Sequence, residues 1–286
     1  RGLGDVYKRQ PLDWLALRRA GDAALAAGQY KEAIFAYQEA LSEEYYENED
    51  YLNLQIGKAY EGLKDLTTAI QYYLNVYTVS KDSATRATAN LLAGQAYQQN
   101  GQDEEAYKRF MDSVFQFPTA YDSFTALSIL VENNIPVDEF NRGLVDYYVR
   151  SYQAAVESFN RYLAENPDNN DGTAYYFRGD SHFALGNYEE AISDFDTLIN
   201  GYRGNAYWAQ AWGRKAAVQQ TVNEYSRAAE TYLGFVSAAP EAPEAADYLY
   251  QAGRSYEIAG NLEKAAAVWQ RTIEEYPSGD LSSVSY

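Results

Sequence analysis

The sequence predicts an all-α fold, a solenoid of about seven helical hairpins with one inserted helix, and three spacings carry that prediction. Ala recurs at 33, 69, 106, 155, 191, 228 and 265, at intervals of 36, 37, 49, 36, 37 and 37 residues. Four residues after each stands an aromatic: Tyr37, Tyr73, Phe110, Phe159, Phe195, Tyr232 and Trp269. Twelve residues before each stands Gly21, Gly57, Gly94, Gly143, Gly179 or Gly253, with Ala216 as the one substitute. A fixed period of this size marks stacked supersecondary units, none of which buries its apolar face alone.

In chain order, residues 1–10, RGLGDVYKRQ, resemble a translated sequencing adapter and are set aside from fold reasoning. Residues 11–119 hold repeats one to three, 120–135 an inserted helix, and 136–279 repeats four to seven; 280–286 read as the truncated start of a further repeat. Within a repeat, two antiparallel helices pack closely only where one offers a side chain no larger than Ala, and an aromatic one turn on fills the adjoining gap. The stretch GNYEEAISDF from Gly186 shows the rest: a Gly that ends the first helix in a left-handed turn, Tyr188 at the start of the second, then apolar residues at helical spacing. Pro118, Pro167, Pro240 and Pro277 follow twelve after the Ala and stop the second helix. The long interval contains YDSFTALSILVENN, Tyr121 to Asn134, where Phe124, Leu127, Ile129, Leu130 and Val131 form an apolar helical face. This added helix should kink the array. Pro136 is then expected to open the first helix of repeat four, where a missing N–H costs nothing.

Composition excludes several chemistries. Cys is absent, so disulfides, thiolate metal sites and a Cys nucleophile are ruled out, and no cofactor is implied. The formal charge of -18 repels a phosphate backbone, so nucleic acid is not a partner. No apolar run approaches the roughly 18 residues that span a bilayer, which argues against membrane insertion. His182 is the single histidine, which leaves neither a Ser/His/Asp triad nor a multi-histidine metal site, and it sits at a packing position. The acidic pairs Glu104/Glu105, Glu189/Glu190 and Asp194/Asp196 read as solvated faces rather than glycosidase carboxylates. DNNDG at Asp168 to Gly172 lacks the alternating carboxylates and closing Glu of a calcium loop and reads as an inter-repeat turn.

The order of a large residue, Gly, Tyr, Gly, Tyr, Ala, aromatic and Pro resembles the tetratricopeptide repeat (TPR) family from residue 14 to about 279. Departures are local: Asp146, His182 and Gln219 stand where Tyr is usual, and Gly213 lies within the first helix of repeat six. The resemblance implies a right-handed superhelix or horseshoe whose first helices line an inner, ligand-binding face. Carried onto this chain, the binding positions are Tyr51, Lys58, Gln95, Tyr147, Tyr148, Tyr176, Asp180, Phe183, Gln210, Gln220, Asp247, Tyr250 and Arg254. They do not match the Lys/Asn/Lys/Arg set that clamps a peptide carboxylate. With 29 Tyr in the chain, these aromatic and amide groups suit extended peptides or sugars; tyrosines merely exposed at repeat interfaces are the alternative reading.

TRATANLLAGQAY, the inserted helix and VDEFNRGLVDYYVRSYQAAVESFNRYL also resemble the repeat region of soluble lytic murein transglycosylases. That resemblance implies a non-catalytic scaffold of the cell envelope, or an exported one. It would hold peptidoglycan glycan strands for a lysozyme-like domain elsewhere in the protein, whose Glu is catalytic. Glu157-Ser158-Phe159 mimics that domain's motif, but Phe159 is the repeat aromatic after Ala155, so no catalytic residue is assigned. The alternative is an adaptor for protein or peptide partners, in the envelope or the cytoplasm.

Overall fold

A computed structural model describes residues 13–42 and 48–276. They form α1 (Asp13–Ala26), α2 (Tyr30–Leu41), α3 (Glu49–Gly62), α4 (Leu66–Val79), α5 (Ser83–Gln99), α6 (Asp103–Gln116), α7 (Tyr121–Glu132) and α8 (Glu139–Tyr148). There follow α9 (Tyr152–Glu165), α10 (Thr173–Leu185), α11 (Tyr188–Gly201), α12 (Trp208–Thr221), α13 (Tyr225–Ala238), α14 (Ala245–Ile258) and α15 (Leu262–Glu275). No strand occurs among the described residues, and none of their helices is long and apolar enough to cross a membrane. The adapter-like start and residues 280–286 lie outside them. The chain divides after Val149 into two compact units. The first packs the hairpins α1/α2, α3/α4 and α5/α6, with α7 against α6, α5 and α8; the second packs α9 on α10 and the hairpins α10/α11, α12/α13 and α14/α15.

The hairpins close around the residues whose spacing predicted them. Every anchoring Ala, from Ala33 to Ala265, is buried. The aromatic one turn later lies across the glycine of the first helix. A Cβ added to Gly21, Gly57 or Gly94 would stand 2.4, 2.4 and 2.3 Å from the rings of Tyr37, Tyr73 and Phe110. In the second unit the corresponding distances are 3.1 Å for Gly179 and Phe195, and 3.0 Å for Gly253 and Trp269. Tyr232 shares a buried cluster with Ala216, which stands at the glycine position of its hairpin. Full burial of such a ring contributes about 1.5–3 kcal/mol, and in the first unit the close approach leaves no room for a methyl group at Gly21, Gly57 or Gly94.

The turns are as uniform as the packing. Five residues before each Ala the backbone enters the left-handed region, at Gly28 (φ 72°), Lys64 (65°), Gly101 (70°), Arg150 (63°), Gly186 (81°), Asn223 (64°) and Gly260 (77°). The next N–H then returns to the helix, as from Asp65 to the Tyr60 carbonyl at 2.9 Å, Asn187 to His182 at 2.9 Å and Glu224 to Gln219 at 2.8 Å. This six-to-one bond satisfies a carbonyl that the helix end leaves open. Lys64, Arg150 and Asn223 hold a conformation that costs an L-residue roughly 1–2 kcal/mol, so the geometry is imposed by the hairpin and not by glycine.

Helix α7 ends in the same way, with Asn134 at φ 55° and the Ile135 N–H on the Leu130 carbonyl at 2.9 Å. Seven residues before Asn134, where hairpins carry Gly or Ala, stands the buried Leu127. Its side chain joins the buried cluster of Phe110, Val114, Leu130 and Val145. Contrary to the expectation from sequence, Pro136 does not open α8, which begins at Glu139. Asp138 takes that role, its Oδ1 accepting the Asn141 N–H at 2.9 Å, so the proline belongs to the connection before the helix.

Truncating Phe195→Ala is expected to destabilise its hairpin by ~3–5 kcal/mol and Gly57→Ala by ~1–3 kcal/mol, whereas exposed Glu190→Ala stays within ~0.5 kcal/mol, read from denaturant unfolding. Lys64→Gly should instead raise stability, by up to about 1 kcal/mol, in the same measurement.

Candidate functional site

The first helices of neighbouring hairpins lie side by side, α1 on α3 and α3 on α5 in the first unit, α10 on α12 in the second. Residues three or four apart along each share a face, so the candidate binding positions form stripes. In the first unit Tyr51 is a strut between repeats. Its hydroxyl donates to Asp22 Oδ1 at 2.8 Å, the Tyr37 hydroxyl donates to the same oxygen at 2.9 Å, and Arg18 sits 4.3 Å over the Tyr51 ring. Burial and this carboxylate raise the Tyr51 pKa. Lys58 and Gln95 are half-buried on α3 and α5. Tyr147 and Tyr148 meet edge to face at 5.3 Å at the end of α8, and Tyr148 is exposed.

In the second unit Tyr176 stacks on Tyr207 at 4.5 Å. Asp180 is buried and paired with Arg214, whose guanidinium lies 5.3 Å over the Phe183 ring. Gln220 Nε2 donates to Ser255 Oγ at 2.9 Å, tying α12 to α14. Tyr250 meets Trp269 edge-on at 5.1 Å; Gln210 and Arg254 are exposed and Asp247 is half-buried. Between these ridges α12 carries the small residues Gly213, Ala217 and Thr221, alongside Gln210, Arg214 and Gln220. Gly213 has a local cause, since a Cβ there would stand 2.5 Å from the Tyr248 hydroxyl, which donates to the Ala209 carbonyl at 3.1 Å. Gly234 likewise makes way for the Trp212 ring, 2.7 Å from where a Cβ would lie.

The solvated-face reading fails for Asp194, which is 4% exposed. Arg178 crosses the hairpin and donates to both its oxygens, at 2.9 and 2.5 Å. Burial outweighs that cation and holds the carboxyl above its ordinary range. Asp196 is held by Lys215 Nζ at 2.6 Å, a link between repeats. Glu104, Glu189 and Glu190 are exposed. The cations Arg178, Arg214 and Lys215 were missed as site-shaping residues; their signal is a charge on the otherwise apolar side of a first helix, within one period of an Asp.

His182 Nδ1 lies 3.3 Å from Asn187 Nδ2, at the α10–α11 turn, and burial lowers its pKa. DNNDG forms the turn before α10, with Gly172 at φ 88° and the Asn205 amide donating to the Asp171 carbonyl at 2.9 Å. Among the described residues no group of His, Asp and Glu could hold a metal ion.

The Tyr73 hydroxyl passes under Gly57 and donates to Glu61 Oε2 at 3.0 Å. Burial raises the Glu61 pKa against the lowering effect of that bond and of Lys58 and Lys64. A carboxyl with a raised folded pKa favours the folded state below its unfolded pKa and loses that contribution as pH rises through the folded value. Glu61→Gln keeps an acceptor for Tyr73, so it should raise the unfolding temperature at pH 7, with the gain shrinking as pH falls towards 4.

Sequence patterns described as tetratricopeptide repeat match residues 3–48, 140–210 and 214–280, and a second such pattern matches 51–83. A TPR repeat-containing protein of Methanocaldococcus jannaschii is 23% identical over 260 residues, 90% of this chain; the chain spans 42% of that relative's length. The C-terminal part of a TPR repeat-containing protein of Cytophaga hutchinsonii aligns at 16% identity and TM-score 0.43, over 94% of this chain and 99% of that one. The TPR2AB domain of yeast Sti1, in its pHSP90 complex, aligns at 18% identity and TM-score 0.36, over 92% and 98%. With more than half of its residues matched, the chain belongs to the tetratricopeptide repeat family.

Proposed function

We propose that this TPR scaffold binds an extended polypeptide segment along the first-helix face of its second unit. The observation that supports this is the low floor of Gly213, Ala217 and Thr221 on α12, flanked by Tyr176 and Phe183 on α10 and by Tyr250 and Arg254 on α14. Solenoids of stacked repeats offer extended surfaces of this kind. Aromatic rings supply contact area at low entropic cost, and the exposed Gln210 offers an amide to a peptide backbone that has no secondary structure of its own. The formal charge of -18 favours neutral or basic segments over acidic ones. The resemblance to murein transglycosylase repeat regions supports a different occupant, a glycan strand stacked on Tyr148 or Tyr176, with the cleavage performed by another part of the parent protein.

Peptides selected from a random library on the wild-type chain are expected to lose about tenfold or more in affinity for Ala217→Trp, which fills the floor, while helix content stays the same. Binding indifferent to Ala217→Trp would remove the peptide reading. Co-sedimentation of the wild-type chain with insoluble peptidoglycan, lost in Tyr148→Ala or Tyr176→Ala, would put the glycan in its place.

A further inference from the structure

Tyr176, on the proposed peptide face, has its ring covered by a residue from a connection between helices. Tyr207, the residue before α12, lies over it with ring centroids 4.5 Å apart and planes at 23°. Phe177 meets Tyr207 edge-on at 5.1 Å and Tyr176 at 5.4 Å, and the fully buried Phe195 lies 6.1 Å from Tyr176. Three rings thus bound the Tyr176 side chain. Phe177 and Phe195 belong to the packing of the α10/α11 hairpin; Tyr207 does not.

Tyr207 is itself held by Asn205. The Asn205 Oδ1 accepts the Tyr207 N–H at 2.7 Å, and its Nδ2 donates to the Asp171 carbonyl at 2.9 Å and the Thr173 hydroxyl at 2.8 Å. One side chain therefore ties the connection before α12 to the start of α10, 34 and 32 residues earlier in the chain. The turn itself does not need this. Before α14, Ala242 and Glu244 stand where Asn205 and Tyr207 stand before α12, 23 and 21 residues ahead of the anchoring Ala. The backbone bonds are the same in both. The Ala242 N–H reaches the Ala239 carbonyl at 3.1 Å and the Ala245 N–H reaches Ala242 at 3.0 Å, against 2.9 Å for Asn205 to Tyr202 and 3.1 Å for Trp208 to Asn205. An alanine makes this turn as well as an asparagine, so the amide and the ring before α12 answer to something else. What they touch is the start of α10 and Tyr176.

We infer that Tyr207, braced by Asn205, is a positioning residue that holds the Tyr176 ring in place for a bound segment. The inference rests on the peptide reading of that face. A ring fixed beforehand loses no rotamer freedom when a ligand arrives. A loose ring presents its bound orientation only part of the time and weakens the apparent affinity by that fraction. The Tyr207 hydroxyl makes no hydrogen bond among the described residues, so its ring is the part that holds Tyr176.

Binding kinetics with peptides selected on the wild-type chain separate positioning from direct contact. Tyr207→Ala and Asn205→Ala are expected to slow association about three- to tenfold, with dissociation nearly unchanged and circular dichroism the same, because only the held fraction binds. Tyr207→Phe should bind as the wild type does. Tyr176→Ala should speed dissociation, and adding Tyr207→Ala to it should cost nothing further. In the free chain, the NMR ring-proton signal that Tyr176→Phe removes should lie upfield in the wild type and in Tyr207→Phe, and move to the ordinary tyrosine range in Tyr207→Ala. Peptides that bind, are lost in Ala217→Trp and yet associate as fast with Tyr207→Ala would overturn the inference and leave the peptide reading standing. An unmoved Tyr176 signal would do the same. If no peptide binds, the peptide reading falls, and the ring signal alone decides whether Tyr207 holds Tyr176.

Discussion

An aromatic ring laid across a helix that has no side chain at the crossing is the contact on which the rest of this molecule depends. In the first unit the rings of Tyr37, Tyr73 and Phe110 occupy the space a Cβ would take at Gly21, Gly57 and Gly94. The two helices can then approach closely enough for the anchoring Ala of one to be sealed by the other. That approach in turn dictates the turn between them, which passes through the left-handed region even where the residue is Lys64 or Asn223. In α7 the buried Leu127 stands where the hairpins carry Gly or Ala, and the left-handed turn still forms at Asn134.

The same crossing delivers polar groups to the outer side of the first helices. Two of the aromatics are tyrosines whose hydroxyls emerge beneath the glycine and meet carboxylates, Asp22 and Glu61. In the second unit cations do this work, Arg178 on Asp194, Arg214 on Asp180 and Lys215 on Asp196. Buried acids of this kind add little net stability, since desolvation offsets most of the attraction, but a misplaced repeat would strand them. They also occupy positions that would otherwise be open to a ligand, as at Tyr51 and Asp180. The proposed peptide site in the second unit uses what these contacts leave, the small residues of α12 and the aromatic edges on either side of them. Gly213 is required by the Tyr248 hydroxyl, which fills the space a Cβ would take.

The helices, hairpins and inserted segment could be read from the sequence because each rests on residues a fixed number of positions apart. A helix converts such spacing directly into a shared face, and a close crossing tolerates only Gly, Ala and an aromatic in that order. Lys64 and Arg150 at positive φ were not legible, since nothing about their side chains asks for that backbone; the packing on both sides compels it. Pro136 misled for a related reason, because a proline before a helix is compatible with either the first turn or the connection, and the cap at Asp138 decided between them.

The candidate site was legible only as a set of positions. Spacing could say that Tyr51, Tyr176 and Asp180 lie on first-helix faces, because that follows from their register with the anchoring Ala. It could not say that Tyr51 and Asp180 are engaged by neighbouring repeats while Gln210 and Arg254 stand open, or that Asp194 is buried under Arg178. Those outcomes turn on how one helix is rotated and set against the next, over separations of 16 residues for Arg178 and Asp194 and 34 for Arg214 and Asp180. The sequence by itself determined which residues make each hairpin, through local periodicity; tertiary structure decided which polar groups are spent inside the stack and which are left to a partner, because burial is a property of neighbours.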